Sequence, residues 1–343
     1  MKAKKTLAIL LTLAMMIALL AGGGQSADTQ QTQSTQAAPA AEEKPAEEPA
    51  AVEGGRKVYI VAPQASGGSW GLLDKGMQDA CAALGWEGTY LAPVTPYDNV
   101  AMADLCETAI NAGADVLMTF TADESMFADV LEECKASGVL TIAVAKPNFA
   151  CDLRVGTDDA NLGENMALAL VEAMGDQPIH VVELMTDITS EGQLRQVDPF
   201  EAKLMELRPD AVIVGRENSG SNAATAADDL SAMYVANPEL NCAVSFDSMA
   251  ALGAVSFKTD RSLDDFVIIG IDDNSEILVN LVQGYIESTV AQQWYNFGVT
   301  AVNIAHDMLD NGAEYDFFQN IDTVIIHADE AEAYAAEHNI SLD

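Results

Sequence analysis

The chain has 343 residues, 49% of them apolar, and carries 53 acidic against 16 basic side chains, a formal charge of −37. Without the first 55 positions, which hold four lysines and six acidic residues, 12 basic and 47 acidic groups remain, so the acidity belongs to the part long enough to fold. Such a surface repels phosphate backbones and anionic headgroups, which excludes nucleic acid as a partner. It reads as the solvated surface of an exported protein. Steering of a cationic ligand is a second use that charge alone leaves open.

Residues 1–24 read as an export signal. Lys2, Lys4 and Lys5 form a positive leader, and Leu7 to Ala21 is an uncharged apolar run. That run is about 15 residues, short of the roughly 20 that span a bilayer. Residues 25–55 are almost wholly Gln, Thr, Ser, Ala, Pro and Glu and read as a disordered acidic linker, because they cannot bury enough apolar surface to repay their ordering entropy. Gly23 stands at their junction, within Leu20-Ala21-Gly22-Gly23.

From Lys57 onward, short β-rich runs alternate with helical periods. "KVYIVA" precedes a helix over 70–84, whose Leu73, Met77, Ala80, Cys81 and Leu84 form one stripe. "TYLA" precedes a helix over 98–112, "DVLMTF" one over 124–137, and "VLTIAV" follows. After "LRVGTDD" come a helix over 160–175, "IHVVEL", a helix over 199–207, "AVIVG", a helix over 222–236, "CAVSF" and a helix over 248–258. "FVIIGI", a helix over 274–283, "YIESTVA", a helix over 294–311, "TVIIH" and a C-terminal helix complete the series. Near-continuous apolar strands between amphipathic helices imply parallel sheets covered on both faces. The fold class is α/β, with two Rossmann-like doubly wound lobes, and ligands of such sheets sit beyond the carboxyl ends of the strands.

The five cysteines (81, 106, 134, 151, 242) show no metal spacing, and being odd in number leave at least one thiol free or paired between chains. Cys81, Cys106 and Cys134 fall in helical patterns as small core residues. The four histidines are scattered, so neither a metal nor a cofactor is assigned.

Strand ends supply the candidate site. Gly67-Gly68-Ser69-Trp70-Gly71 fits G-x-S-x-G, the nucleophile elbow of a serine hydrolase. Six residues separate Ser69 from the strand, however, where an elbow needs a sharp turn. A ligand-contacting loop with Ser69 capping the helix is the simpler reading. Trp70 at the mouth of a crevice suits stacking on a sugar ring, with helix-to-sheet packing as the alternative. In Asp272-Asp273-Asn274, Asn274 caps the next helix and Asp272 is left free for ligand hydroxyls or an ammonium. Asp247 repeats that logic, with capping equally open, and Gln292 brings both donors and acceptors to another strand end. "RQVDPFEAK" reads as a capping box, with Asp198 at the cap, Pro199 at the first helical position and Glu201 two residues on. That leaves Arg195 and Gln196 in the loop before it, either one facing the cleft.

"VSFDSMAALGAV", "FVIIGIDDNSE" and "GYIESTVAQQWYNFGVTAV" resemble the C-terminal half of type I periplasmic binding proteins of the ribose- and galactose-binding branch. "LTIAVAKPNFACDLRVGTDDANLGENMALAL" resembles the segment leading into that family's first hinge. The resemblance implies lobes of 56–157 plus 293–321 and of 158–292 plus 322–343. Three hinge crossovers, near 156–158, 291–293 and 321–323, would join them, with the ligand between. It implies a monomeric, non-enzymatic binder of a small polar, sugar-like ligand that serves the membrane permease of an ABC transporter. A ligand-presenting partner of a membrane receptor or kinase is the alternative. Ser69 and Trp70 match the aromatic pair that sandwiches the sugar, with one aromatic kept. Asp247 stands where the family has Asn, Asp272 matches its aspartate, and Gln292 matches its hinge glutamine. Ala145-Lys146 replaces an Asp-Arg pair, leaving Lys146, with Arg195 or Gln196, to bond the ligand. The family's lipoproteins read Leu-Ala-Gly-Cys at the leader junction, so Gly23 takes the place of a lipidated cysteine. A chain so altered is released after cleavage, or held by an uncut leader.

Overall fold

The computed structural model describes residues 55–120, 124–146 and 149–342. The leader, the linker and Gly23 lie outside the described residues, as do 121–123 at one of the strand ends. β1 (Lys57–Val61), β2 (Glu87–Leu91), β3 (Val116–Thr119), β4 (Leu140–Val144), β5 (Leu153–Gly156) and β11 (Phe318–Asn320) form an all-parallel sheet in the order β11-β5-β4-β3-β1-β2. β6 (His180–Met185), β7 (Val212–Asn218), β8 (Cys242–Ser245), β9 (Val267–Ile271), β10 (Ser288–Ala291) and β12 (Val324–His327) form a second sheet, β12-β10-β9-β8-β6-β7, in which only β12 runs antiparallel. The expected pair of doubly wound α/β lobes is what the chain builds.

Alternation along each strand decides which helices cover it. In the first sheet Val58, Ile60, Met118 and Ile142 face α1 (Gly68–Leu84) and α9 (Trp294–Asn311). Val61, Leu117 and Ala143 face α2 (Asn99–Asn111) and α3 (Glu124–Ala136). In the second sheet Val182, Leu184, Ala243 and Ile268 face α6 (Ala223–Ala236), α7 (Ser248–Arg261) and α8 (Ser275–Val282). Val181, Met185, Val244 and Ile269 face α4 (Asp159–Met174) and α5 (Glu191–Leu207). A short α10 (Ala331–Glu337) closes the far edge. Polar residues start the helices as the sequence implies: Asp98, Asp158, Asn222, Asp247 and Asn274 each accept hydrogen bonds from first-turn N–H groups. All five cysteines are buried and unpaired, so the thiols act as small core groups.

The chain passes between the sheets at 157–158, 292–293 and 321–323. Side chains tie these strands laterally: Thr157 donates to Gln292 Oε1 (3.1 Å), Asn320 Oδ1 accepts from the Asp158 N–H (2.9 Å), and Asn165 donates to Thr323 (2.6 Å).

One expectation fails at α5. The helix begins at Glu191 and runs through Pro199, so there is no capping box at Asp198. Proline removes one backbone hydrogen bond at the cost of roughly 3 kcal/mol. The turns on either side bury Gln193, Gln196, Val197, Phe200 and Leu204 against α4, and this packing holds the helix together. Ser69 is a second correction. Gly67 precedes the helix, Ser69 lies inside its first turn, and its hydroxyl caps nothing.

The same face of the second sheet holds a charge. Glu183 is fully buried on β6, with one carboxylate oxygen accepting from Arg216 Nε (2.9 Å) and the other unpartnered. Burial, and Glu201 competing for Arg216, push its pKa up to about 8. A carboxyl whose folded pKa is raised stabilises the fold at low pH and loses that contribution as pH rises through the folded value. Glu183→Gln is therefore expected to be as stable as the parent near pH 5 and more stable above pH 8. The expected gain is about 1–3 kcal/mol, read from urea denaturation at the two pH values.

Candidate functional site

The carboxyl ends of both sheets face one cleft of about 1110 Å³. All eight residues singled out from the sequence line it: Ser69, Trp70, Lys146, Arg195, Gln196, Asp247, Asp272 and Gln292. Among the described residues, five of the seven non-glycine residues at positive φ are at the cleft or beside it: Tyr97 (60°), Ala145 (62°), Ser221 (54°), Asp272 (73°) and Gln293 (62°). Backbone held in this sparsely populated region concentrates at binding and switch sites.

Asp272, at the end of β9, is the centre of one half. It was expected to be free, and it is instead saturated. Oδ1 accepts from Gln292 Nε2 and Trp294 Nε1, both at 2.7 Å, and Oδ2 from Ser248 Oγ (2.6 Å) and Ser69 Oγ (3.1 Å). Two of those donors come from α1 and α9 of the opposite lobe, so the carboxylate joins the lobes. Asn274 caps α8 as expected and also donates to Ser69 Oγ (3.1 Å). Asp247 caps α7, and its second oxygen accepts from Thr186 Oγ1 and Ser221 Oγ. Gln292 is held at both ends, by Thr157 and by Asp272. Asp273 points away from this network, accepting from Tyr334 OH (2.8 Å), and burial raises its pKa to about 6.

Trp70 is only 5% exposed and sits edge-on to Phe120 (5.3 Å) and to Trp294 (4.9 Å). It is at once part of the core and of the cleft floor. The aromatic wall with an open face is Tyr97, on the loop before α2, which is 42% exposed. Its place inside the cleft and the nearby carboxylates of Asp247 and Asp272 push its hydroxyl up to about 12. Sequence reading passed over Tyr97 because it sits in an irregular segment six residues beyond β2.

The other half gathers on Asp159, also missed. Asp158 caps α4, which leaves the buried carboxylate of Asp159 to the side chains of the cleft wall. Gln196 Nε2 donates to Asp159 Oδ1 (2.7 Å), Lys146 Nζ lies 3.4 Å from the same oxygen, and Arg195 Nε and Arg154 Nη2 lie 3.3 and 3.9 Å from Oδ2. Burial would raise the Asp159 pKa, but Lys146, the Gln196 hydrogen bond and the two guanidinium groups together hold it below the usual range. Burial lowers the pKa of Lys146 against the pull of Asp159. Placing Arg195 and Gln196 on a helix rather than a loop resolves which one faces the cleft: both reach Asp159.

Ser69 is no nucleophile in this setting. Its partners are Asp272 and Asn274, and none of the four histidines is among the residues lining the cleft. Among the described residues no cluster of His, Cys, Asp and Glu is arranged to hold a metal ion, and no helix is long and apolar enough to cross a membrane.

The sequence profile of the periplasmic binding protein domain matches residues 58–314. The chain belongs to the periplasmic binding protein family. Its members are non-enzymatic, extracytoplasmic solute binders. A D-apiose import binding protein from Paraburkholderia graminis is 20% identical over 240 residues, 67% of this chain and 74% of that one. Among solved structures, the glucose-galactose binding protein GanP of Geobacillus stearothermophilus superposes with a TM-score of 0.72 at 22% identity, covering 80% of this chain and 98% of that one. An ABC transporter periplasmic solute binding protein from Actinobacillus succinogenes with bound D-allose does so with a TM-score of 0.75 at 18% identity, covering 81% and 100%. Both likenesses are of fold. In this family member Asp272 and Asp159 both belong to the second lobe, and each is reached from the first, Asp272 by Ser69 and Trp294 and Asp159 by Lys146.

Proposed function

We propose that the protein captures a sugar between its two lobes and presents it to the permease of an ABC importer. The observation that carries this reading is the convergence of eight hydrogen-bonding and aromatic residues on one cleft, six of them at strand or helix ends and two, Arg195 and Gln196, in the second turn of α5. Names of relatives support it, since they include an import binding protein for D-apiose and a structure with bound D-allose. Tyr97 and the exposed edge of Trp70 would cover the apolar face of a ring, and the polar groups of both halves would bond its hydroxyls. Selectivity then follows from unpaired site groups when a hydroxyl is absent.

The chain works as a monomer outside the cytoplasmic membrane. Residues 1–24 direct export and residues 25–55 act as a tether or a released tail, with Gly23 unable to carry a lipid. Closure about three lateral-bonded crossovers would bring the permease a compact, liganded form. Thermal-shift and calorimetric titration against D-apiose, D-allose, D-galactose, D-glucose and L-arabinose is the test. A ligand supplied at about 100 times its dissociation constant adds about 2.7 kcal/mol to stability. A chain whose unfolding temperature moves with none of these, nor with their acidic derivatives, is not a sugar binder.

A further inference from the structure

The cleft is electrically lopsided, and its two ends differ in what they still have to offer a ligand. Asp272 already accepts four hydrogen bonds and Asp247 three, so a ligand hydroxyl gains little there without displacing an internal donor. The Asp159 end is the reverse. Three cations, Lys146, Arg154 and Arg195, surround one carboxylate, which leaves an excess of positive charge in a protein that is otherwise strongly acidic. Arg154 is spoken for: it is buried, donates to the Ala145 and Thr157 carbonyls and lies over the Phe318 ring. Arg195 is not. Among the described residues its guanidinium makes a single hydrogen bond, through Nε, and its four Nη hydrogens are unused. Lys146 makes two long contacts of 3.4 Å, to Asp159 and to the Gly192 carbonyl.

These two cations converge on one place. A Cβ added at Gly192 would lie 3.7 Å from Arg195 Nη2 and 3.8 Å from Lys146 Cδ, so both side chains arch over the first turn of α5. Ser190 begins that 17-residue helix without a side-chain capping bond, and Ser190, Glu191 and Gly192 line the cleft. The helix end adds partial positive charge at the same spot. The acidic residues of that rim, Asp187 and Glu191, are exposed, where water and salt screen them. Burial lowers the proton affinity of Lys146 and of Arg154 against the pull of Asp159, and repulsion from Arg195 adds to it in both.

Resting on the sugar-binding reading, we infer that the ligand is an acidic sugar, whose carboxylate or phosphate ester sits between Lys146 and Arg195 over the first turn of α5. Its ring then lies toward Tyr97 in the other half of the cleft. This differs from the D-apiose and D-allose of the relatives, neither of which carries an acid group.

The experiment is calorimetry on the purified chain with matched pairs: D-galacturonate against D-galactose, D-glucuronate and D-gluconate against D-glucose, and glucose 6-phosphate as the ester. The expected result is at least one acid binding about tenfold or more tighter than its neutral parent at low salt, with the margin shrinking at about 0.5 M salt. Carboxylate and phosphate arms distinguish the two sources of charge. Lys146→Gln and Arg195→Gln should each weaken the acid about tenfold or more, and by a clearly larger factor than they weaken its neutral parent. Lys146→Arg, which keeps the charge, should restore most of the loss and controls for a folding defect. Neutral parents that bind as tightly as the acids overturn the inference and leave the sugar-binding reading standing. So does acid affinity unmoved in both Gln variants. Absence of binding by every sugar, acidic or neutral, overturns both.

Discussion

Asp272→Ala is expected to weaken ligand binding by about 2–5 kcal/mol, the range for truncating a buried, hydrogen-bonded charge. At about 1.4 kcal/mol per factor of ten, that is a loss of roughly 30-fold to several thousand-fold in affinity. The reason is specific to this carboxylate. It accepts from Ser69, Ser248, Gln292 and Trp294, and its loss strips four donors at once, two of them on the opposite lobe. Asp272→Asn should be milder. It tolerates the positive φ of 73° as aspartate does, and its new amide can donate to the two serine hydroxyls, which accept as readily as they donate. Calorimetry on both variants reads the difference. Equal loss in Asn and Ala would mean that the negative charge, not the hydrogen-bond count, does the holding.

Gly163→Ala is expected to damage both stability and binding, from a position outside the cleft lining. An ideal Cβ at Gly163 would lie 2.0 Å from the Gln196 carbonyl oxygen and 2.9 Å from the Phe200 N–H nitrogen, so α4 and α5 must separate. Overpacking against backbone costs about 1–3 kcal/mol or more. The displaced helix is the one that carries Arg195 and Gln196 onto Asp159. Urea denaturation should show the lost stability, and ligand titration a parallel loss of affinity. Gly71→Ala is the control. It lies in α1 with only Ser66 Oγ near its Cβ, at 3.9 Å, and should gain the helix propensity of alanine, up to about 1 kcal/mol. Equal behaviour of the two variants would count against the close α4–α5 contact.

The sequence carried the architecture well because its central strands are buried on both faces and five of its helices open with Asp or Asn caps. Two strands escaped it. β5 is four residues with Arg154 in the middle, and that arginine is buried because the Ala145 and Thr157 carbonyls and the Phe318 ring, the last far away in sequence, receive it. β11 is three residues at a sheet edge, too short for periodicity to register. At α5 a local rule, proline as a helix start, lost to tertiary burial of the turns around it.

The site was legible in its addresses and less so in its bonding. Strand ends led to all eight cleft residues, but the expectation that Asp272 would be free ignored donors from α1 and α9, which only the closed arrangement of two lobes supplies. Asp159 could have been found by the argument already used for Asp272, Asp273 and Asn274: two adjacent acids follow a strand, one must cap the helix, and the other is available. Tyr97 offered no such signal, since its positive φ is not written in the residue type.

The path of the chain sets a timetable for folding. The first lobe is completed by α9 and β11, whose residues follow β6 to β10 of the second lobe. α1 and α9 fit only because Gly76 meets the Tyr295 carbonyl and Gly298 meets the Leu73 carbonyl, contacts that cannot exist until the last tenth or so of the chain is near. At about 5–20 residues per second, a ribosome takes on the order of ten seconds or more to pass from α1 to α9. Throughout that interval one face of the β1–β5 sheet is covered by α1 alone, and a half-covered sheet does not hold a stable fold. A polypeptide that must be threaded unfolded through a translocation channel, as the proposed function requires, is thereby kept threadable by its own topology.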